Sequence, residues 1–116
     1  MKRTLAFITF LIFFGATFLW GQTPKGKDYE RGKGLFNDKC SICHGTNGDG
    51  KGPAGAALNP KPTDFTNPTF WNQTDIEKKI TDAIKQGKGM MPRFDMKADE
   101  IKAVVEYMSQ TFKRQR

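Results

Sequence analysis

The chain has 116 residues, enough for one small domain once any targeting segment is set aside, and 19 Lys and Arg against 12 Asp and Glu give it a formal charge of +7. A charge of that size does not require nucleic acid as a partner. About 95 residues remain beyond the N-terminal stretch, too few for an all-peptide core to give more than marginal stability, so something else fills the interior.

The first two dozen residues differ from the rest. Lys2 and Arg3 precede an uncharged run from Leu5 to Trp20 that holds five of the ten Phe residues. A basic start, an apolar centre and a small residue near Gly21 are the parts of a secretory signal peptide over residues 1–21. Leu19 suits the −3 position of a cleavage site poorly, so an uncleaved N-terminal membrane anchor is the alternative. A run of about 16 apolar residues is short of the roughly 20 that span a bilayer. Neither Cys lies near the leader's end, which excludes a lipid-modified Cys there. Either way the remainder is expected in the periplasm or on the extracytoplasmic face of the membrane, touching the membrane only if the leader stays. Losing Lys2 and Arg3 and no acid lowers the formal charge to +5.

Residues 22–27 read as a flexible lead-in to a domain over 28–116. Asp28 is placed to cap a first helix that runs to about Lys39, with Leu35 and Phe36 as its apolar contacts. Gly32 inside that helix costs about 1 kcal/mol relative to Ala. It marks either the close passage of another backbone or a frayed helix start.

The chain holds two Cys, at positions 40 and 43, and its single His follows at 44. Two Cys in an exported protein suggest a disulfide, but other chemistries compete. A redox dithiol needs a preceding strand, and no strand pattern precedes Cys40. Zinc needs a fourth ligand and less crowding than Cys40, Cys43 and His44 offer. C-x-x-C-H reads as c-type haem attachment. Thioethers from Cys40 and Cys43 would pin the two haem vinyl groups, and the next imidazole, His44, would lie beneath the iron. The large apolar face of a haem is also the missing filler.

Gly45 to Gly55 is a glycine-rich loop. A calcium loop starting at Asn47 would need Glu where Leu58 stands, and a P-loop would need a Gly-Lys-Ser/Thr ending. The loop is expected to wrap the haem edge. Residues 59–73 hold Pro60, Pro62 and Pro68 and read as extended or turning; Phe65, Phe70 and Trp71 are the apolar groups available to cover the haem, with core packing the preferred role for Phe65 and Phe70. Trp71 is assigned to the haem pocket, with its indole N–H available to a propionate. Thr74-Asp75-Ile76-Glu77 is a capping box. It opens a helix with Ile76, Ile80, Ala83 and Ile84 on one face and Gly87 just past its end. In the loop from Gly87 to Phe94, a thioether from Met90 or Met91 can reach the iron, with Pro92 fixing the chain direction. Met96 and Met108 are alternatives, although Met108 shares the apolar stripe of the last helix with Ile101, Val104, Val105 and Phe112. His/Met ligation raises the reduction potential and leaves no open coordination site. That favours electron transfer over oxygen or peroxide chemistry. A haem enzyme with a labile sixth ligand is the competing class, and no further His or acid–base cluster supports it.

Taken together these residues resemble the class I c-type cytochromes of bacteria, over roughly Tyr29 to Phe112. The resemblance is carried by Gly32 and Phe36 before the motif, by Cys40 to His44, by Gly52-Pro53 and Met91-Pro92, and by Val104 and Tyr107 in the last helix. It implies an all-α fold, about three main helices plus loops wrapped around one covalent haem c. It also implies that Met91 is the sixth iron ligand and that the Pro53 carbonyl meets the other nitrogen of His44. The function implied is one-electron transfer in an extracytoplasmic respiratory or metabolic chain, without enzyme activity. An anchored haem subunit of a larger oxidoreductase complex is the alternative. Partners are then redox proteins; Lys51, Lys61, Lys88 and Arg93, in loops expected to border the haem, either steer those with acidic surfaces or are simply solvated charges. The Gly-x-Gly-x-Gly-Pro-Ala run and Pro-Lys-Pro-Thr-Asp-Phe resemble a bacterial subgroup serving many respiratory chains, so the resemblance fixes the chemistry and not the pathway.

Overall fold

Three helices carry the fold: α1 over Lys27–Lys39, α4 over Ile76–Gln86 and α5 over Ala98–Thr111. Two one-turn helices, α2 over Ser41–His44 and α3 over Pro68–Trp71, and a 3-10 turn over Gly55–Ala57 lie between α1 and α4. The computed structural model describes residues 26–114; the leader expected over 1–21 and most of the lead-in lie outside them. Among the described residues the one β-type pairing is an isolated bridge between Lys88 and Met91. No helix among them is long and apolar enough to cross a membrane. The all-α class expected from the sequence is the class observed.

Helix α1 buries Tyr29, Gly32 and Phe36, which fall on one stripe at helical spacing. Its cap is Gly26, and Asp28 sits inside the first turn beside Glu30, where an acidic side chain suits the helix dipole. Helix α5 buries Ile101, Val104, Val105, Tyr107 and Met108. Its start is held by the Lys97 N–H donating to Glu100 Oε2 at 3.0 Å. The two helices meet at Gly32. A Cβ there would stand 1.9 Å from the Ala103 carbonyl oxygen and 2.9 Å from Tyr107 Cβ. Gly32 is therefore a contact between backbones, not a frayed end. Around it Phe36 is fully buried, with its ring 5.4 Å from Tyr107, 5.3 Å from Phe112 and 6.4 Å from Phe65. At the rim, Arg31 pairs with Asp99 at 2.7 Å, and Tyr29 Oη lies 3.1 Å from Thr111 Oγ1.

Helix α4 presents Ile76, Ile80 and Ile84 to the core, and Gly87 ends it with its N–H on the Ala83 carbonyl at 2.9 Å. The capping box expected at Thr74–Glu77 is not formed. A capping residue normally sits in the extended region, from which its side chain reaches the first free amides. The residue at the start of α4 is Asp75, left-handed at φ 55°, and no side chain caps the helix. The capped start lies in the proline-rich stretch instead. Asn67 Oδ1 accepts from the Thr69 N–H at 3.0 Å, with Pro68 in the first helical position of α3.

Gly32→Ala separates two expectations. Ala gains about 1 kcal/mol of helix propensity, but its methyl would collide with backbone that cannot rotate away. The net effect expected is a loss of about 1–3 kcal/mol, the usual range for overpacking. Denaturant unfolding of the holoprotein measures it; an unchanged midpoint would mean that the helices part without cost.

Candidate haem attachment site

Cys40 ends α1, its N–H donating to the Phe36 carbonyl at 2.9 Å. The next turn begins on the Cys40 carbonyl, which accepts from Cys43 at 3.2 Å and from His44 at 2.9 Å. Cys40, Cys43 and His44 thus stand at i, i+3 and i+4, spacings that share one helix face. Both cysteines are free thiols and partly buried. Burial pushes the Cys40 thiol up to about 11, the nearby Lys39 opposing it only in part. A redox dithiol works through a depressed thiol, so Cys40 has the opposite character. Among the described residues, no group of three or more His, Cys, Asp or Glu is arranged to hold a bare metal ion.

His44 is buried, and its Nδ1 lies 3.1 Å from the Thr63 carbonyl oxygen. A carbonyl only accepts, so Nδ1 carries the proton and Nε2 keeps its lone pair. Burial pushes the imidazole below its ordinary value, more than the Thr63 hydrogen bond raises it. A neutral ring with a bare Nε2 is the form that ligates a metal. The Phe65 ring stacks on the imidazole with centroids 4.5 Å apart and planes 21° apart. Phe65 is itself pinned at both ends of its peptide unit. Its N–H donates to Gly48 O at 2.7 Å, and its carbonyl accepts from Trp71 Nε1 at 2.7 Å.

Two expected roles change here. The carbonyl partner of His44 is Thr63, not Pro53. Pro53 is exposed, on a loop that folds back onto α2. The N–H groups of Gly50, Gly52 and Ala54 donate to the carbonyls of His44, Cys43 and Ile42 at 2.8, 3.1 and 2.9 Å. These are the orphan acceptors at the end of a helix, and Pro53, which has no N–H, turns the chain between two donors. Gly52 is required by the approach, because a Cβ would lie 2.4 Å from the Ile42 carbonyl oxygen. The glycine-rich loop therefore packs against the motif's own backbone. Trp71 is the second change. Its indole N–H, assigned to a propionate, is taken by the Phe65 carbonyl.

The methionine loop sorts its two sulfurs. Lys88 and Met91 exchange backbone hydrogen bonds at 3.0 Å each, closing a tight turn, and the Phe94 N–H ties the loop to Ile84 O at 2.8 Å. Met91 is half-buried against the core, whereas Met90 is 61% exposed. Met108 is a core residue at 3% exposure. Leu35, Cys40, Phe70, Met91, Phe94 and Met96 form a partly buried apolar fringe to the core. Two free thiols on one turn, a neutral imidazole with its Nδ1 held and its Nε2 bare, and that fringe fit a covalently attached haem. Sequence reading misses the role of Thr63 altogether and the stacking of Phe65 on His44. One acts through a backbone carbonyl and the other reads as ordinary core, so neither leaves a signal.

The chain is similar in sequence to known proteins. The family model described as cytochrome c matches residues 29–112. A cytochrome c-551 from Halorhodospira halochloris is 36% identical over 75 residues, covering 62% of this chain and 81% of that protein. The Cbb3-type cytochrome c oxidase subunit FixP of Bradyrhizobium diazoefficiens is 34% identical over 89 residues, covering 74% of this chain. The chain spans only 28% of the length of FixP.

Trp71→Phe keeps the ring and removes the donor to Phe65 O. An acceptor left unsatisfied in the core costs about 1–3 kcal/mol, so the denaturation midpoint of the variant should fall while its haem content stays at the wild-type level. A variant of unaltered stability would show the indole hydrogen bond to be dispensable.

Proposed function

The chain belongs to the cytochrome c family, and from that membership we propose that His44 and Met91 are the two axial ligands of its covalent haem c. The protein transfers electrons and is not an enzyme; its partners are redox proteins. Haem c supplies a one-electron Fe(III)/Fe(II) couple, with no bond made or broken. The chain's own residues hold, orient and shield that couple. The Cys40 and Cys43 sulfurs anchor it as thioethers. Thr63 O keeps the proton of His44 on Nδ1 and leaves the Nε2 lone pair free to hold the iron when the group is bound, while Phe65 stacks on the ring and covers one face. The observation that carries this reading is the single helical turn presenting Cys40, Cys43 and a neutral His44 together.

Met91 rather than Met90 is supported by its inward position and by a backbone bonded at both its N–H and its carbonyl. A thioether ligand raises the potential of a His-ligated iron. Exposed Lys51, Lys61, Lys88 and Arg93 border the motif and methionine loops and supply a positive field for acidic partners. We place the domain, residues 28–116, outside the cytoplasm, in the periplasm or on the outer face of the membrane, in a respiratory or metabolic chain. A second reading, a haem subunit tethered in a larger oxidase, is favoured by the likeness to FixP. N-terminal sequencing of soluble and membrane fractions distinguishes them: a processed chain in the soluble fraction supports the diffusing carrier, an intact leader in the membrane the tethered subunit.

Met91→Ala should abolish the sulfur-to-iron charge-transfer band at the red edge of the ferric visible spectrum and lower the reduction potential. Met90→Ala should preserve both. If the band survives the first change and vanishes with the second, the assignment of the pair is reversed.

A further inference from the structure

Met90 is the one methionine of the described residues that stands out in solvent. Its exposure is 61%, against 3% for Met108, while Met91 and Met96 are half-buried against the core. It lies within the Lys88–Met91 turn, next to Gly89, around whose Cβ position no atom beyond those of Gly89 and its two chain neighbours lies within 4 Å. None of the hydrogen bonds that hold this loop uses Met90: they run between Lys88 and Met91, in both directions, and from Phe94 to Ile84. An unpacked apolar side chain on a well-held turn contributes nothing to the core. Its sulfur remains its most reactive feature.

We propose that Met90 is a sulfoxidation site that intercepts hydroperoxides before they reach Met91. The proposal rests on the reading of Met91 as the iron's sulfur ligand. A sulfur lone pair of Met90 attacks one peroxide oxygen, the O–O bond breaks and an S–O bond forms. The departing oxygen leaves as an alcohol, or as water from hydrogen peroxide, after taking up the proton that the transferred hydroxyl oxygen gives up. The sulfur is oxidised by two electrons and the peroxide reduced by two. The product is polar and chiral, and sulfoxide reductases reverse it. At Met91 the same change would introduce a polar group among half-buried apolar neighbours and remove a lone pair the iron needs. At Met90 it disturbs no packing contact. The neighbours thus divide two tasks between one kind of side chain.

The test is a titration of the ferric holoprotein with tert-butyl hydroperoxide, dosed in molar equivalents. Fragment-ion mass mapping of the peptide Gly89–Arg93 locates the added oxygen, and the charge-transfer band is followed in parallel. Met90 should gain oxygen several-fold faster than Met91, Met96 or Met108, with the band intact until Met90 is consumed. In Met90→Leu the band should begin to fall at the first equivalents. Oxidation of Met91 or Met96 first, or at the same rate as Met90, overturns the site. An identical dose dependence of the band in Met90→Leu overturns the protective role. A band that disappears in step with Met90 oxidation overturns the assignment of Met91 instead, and leaves Met90 as the reactive sulfur.

Discussion

The structure depends on the contact between the backbones of α1 and α5 at Gly32. There the Ala103 carbonyl approaches to a distance that no side chain on α1 would allow. Two consequences follow from it. The aromatic residues one turn further along each helix, Phe36 and Tyr107, are brought ring to ring and gather Phe112 and Phe65 into one cluster. The C-terminal end of α1 is also fixed relative to that cluster, and Cys40 is the residue at that end. A helix pair that crossed at a greater distance would leave the attachment turn without a fixed base.

From that base the site is built by backbone as much as by side chains. The carbonyls of α2 are satisfied by a loop that returns over them, and the imidazole of His44 is held by the Thr63 carbonyl and the Phe65 ring. Trp71 acts at one remove, on the carbonyl of the residue that stacks on His44. Outer partners of this kind set the tautomer, orientation and basicity of a metal-bound imidazole. Here they belong to a segment about twenty residues downstream of the motif, so the ligand's surroundings depend on the tertiary fold and not on the motif alone.

The sequence was most legible where chemistry or periodicity is encoded in side-chain identity. Cys40, Cys43 and His44 announce their group by spacing, the stripes of α4 and α5 announce their faces, and Gly32 in mid-helix announces a close neighbour. It was least legible where a role falls to the peptide backbone. The carbonyl partner of His44 is Thr63 and not Pro53 because any residue carries a carbonyl, and only the three-dimensional path of the loop selects one. The propionate contact expected of the Trp71 indole N–H gives way for a related reason: such a donor has many possible acceptors, and the one it meets, the Phe65 carbonyl, belongs to its own segment. The Thr74–Glu77 box matched a pattern that the left-handed Asp75 prevents from forming. Whether Met90 or Met91 turns inward was not readable from the pair itself, since the two residues are chemically identical.

The hydrogen bond between Tyr29 and Thr111 joins residues 82 positions apart and brings the first turn of the domain against its last. A unit whose two edges adjoin makes little demand on what precedes or follows it. It can stand alone, be spliced between segments of a longer polypeptide, or hang from one, because both attachment points leave from the same corner. The geometry of the rim thus gives the domain the adjoining edges that a module needs.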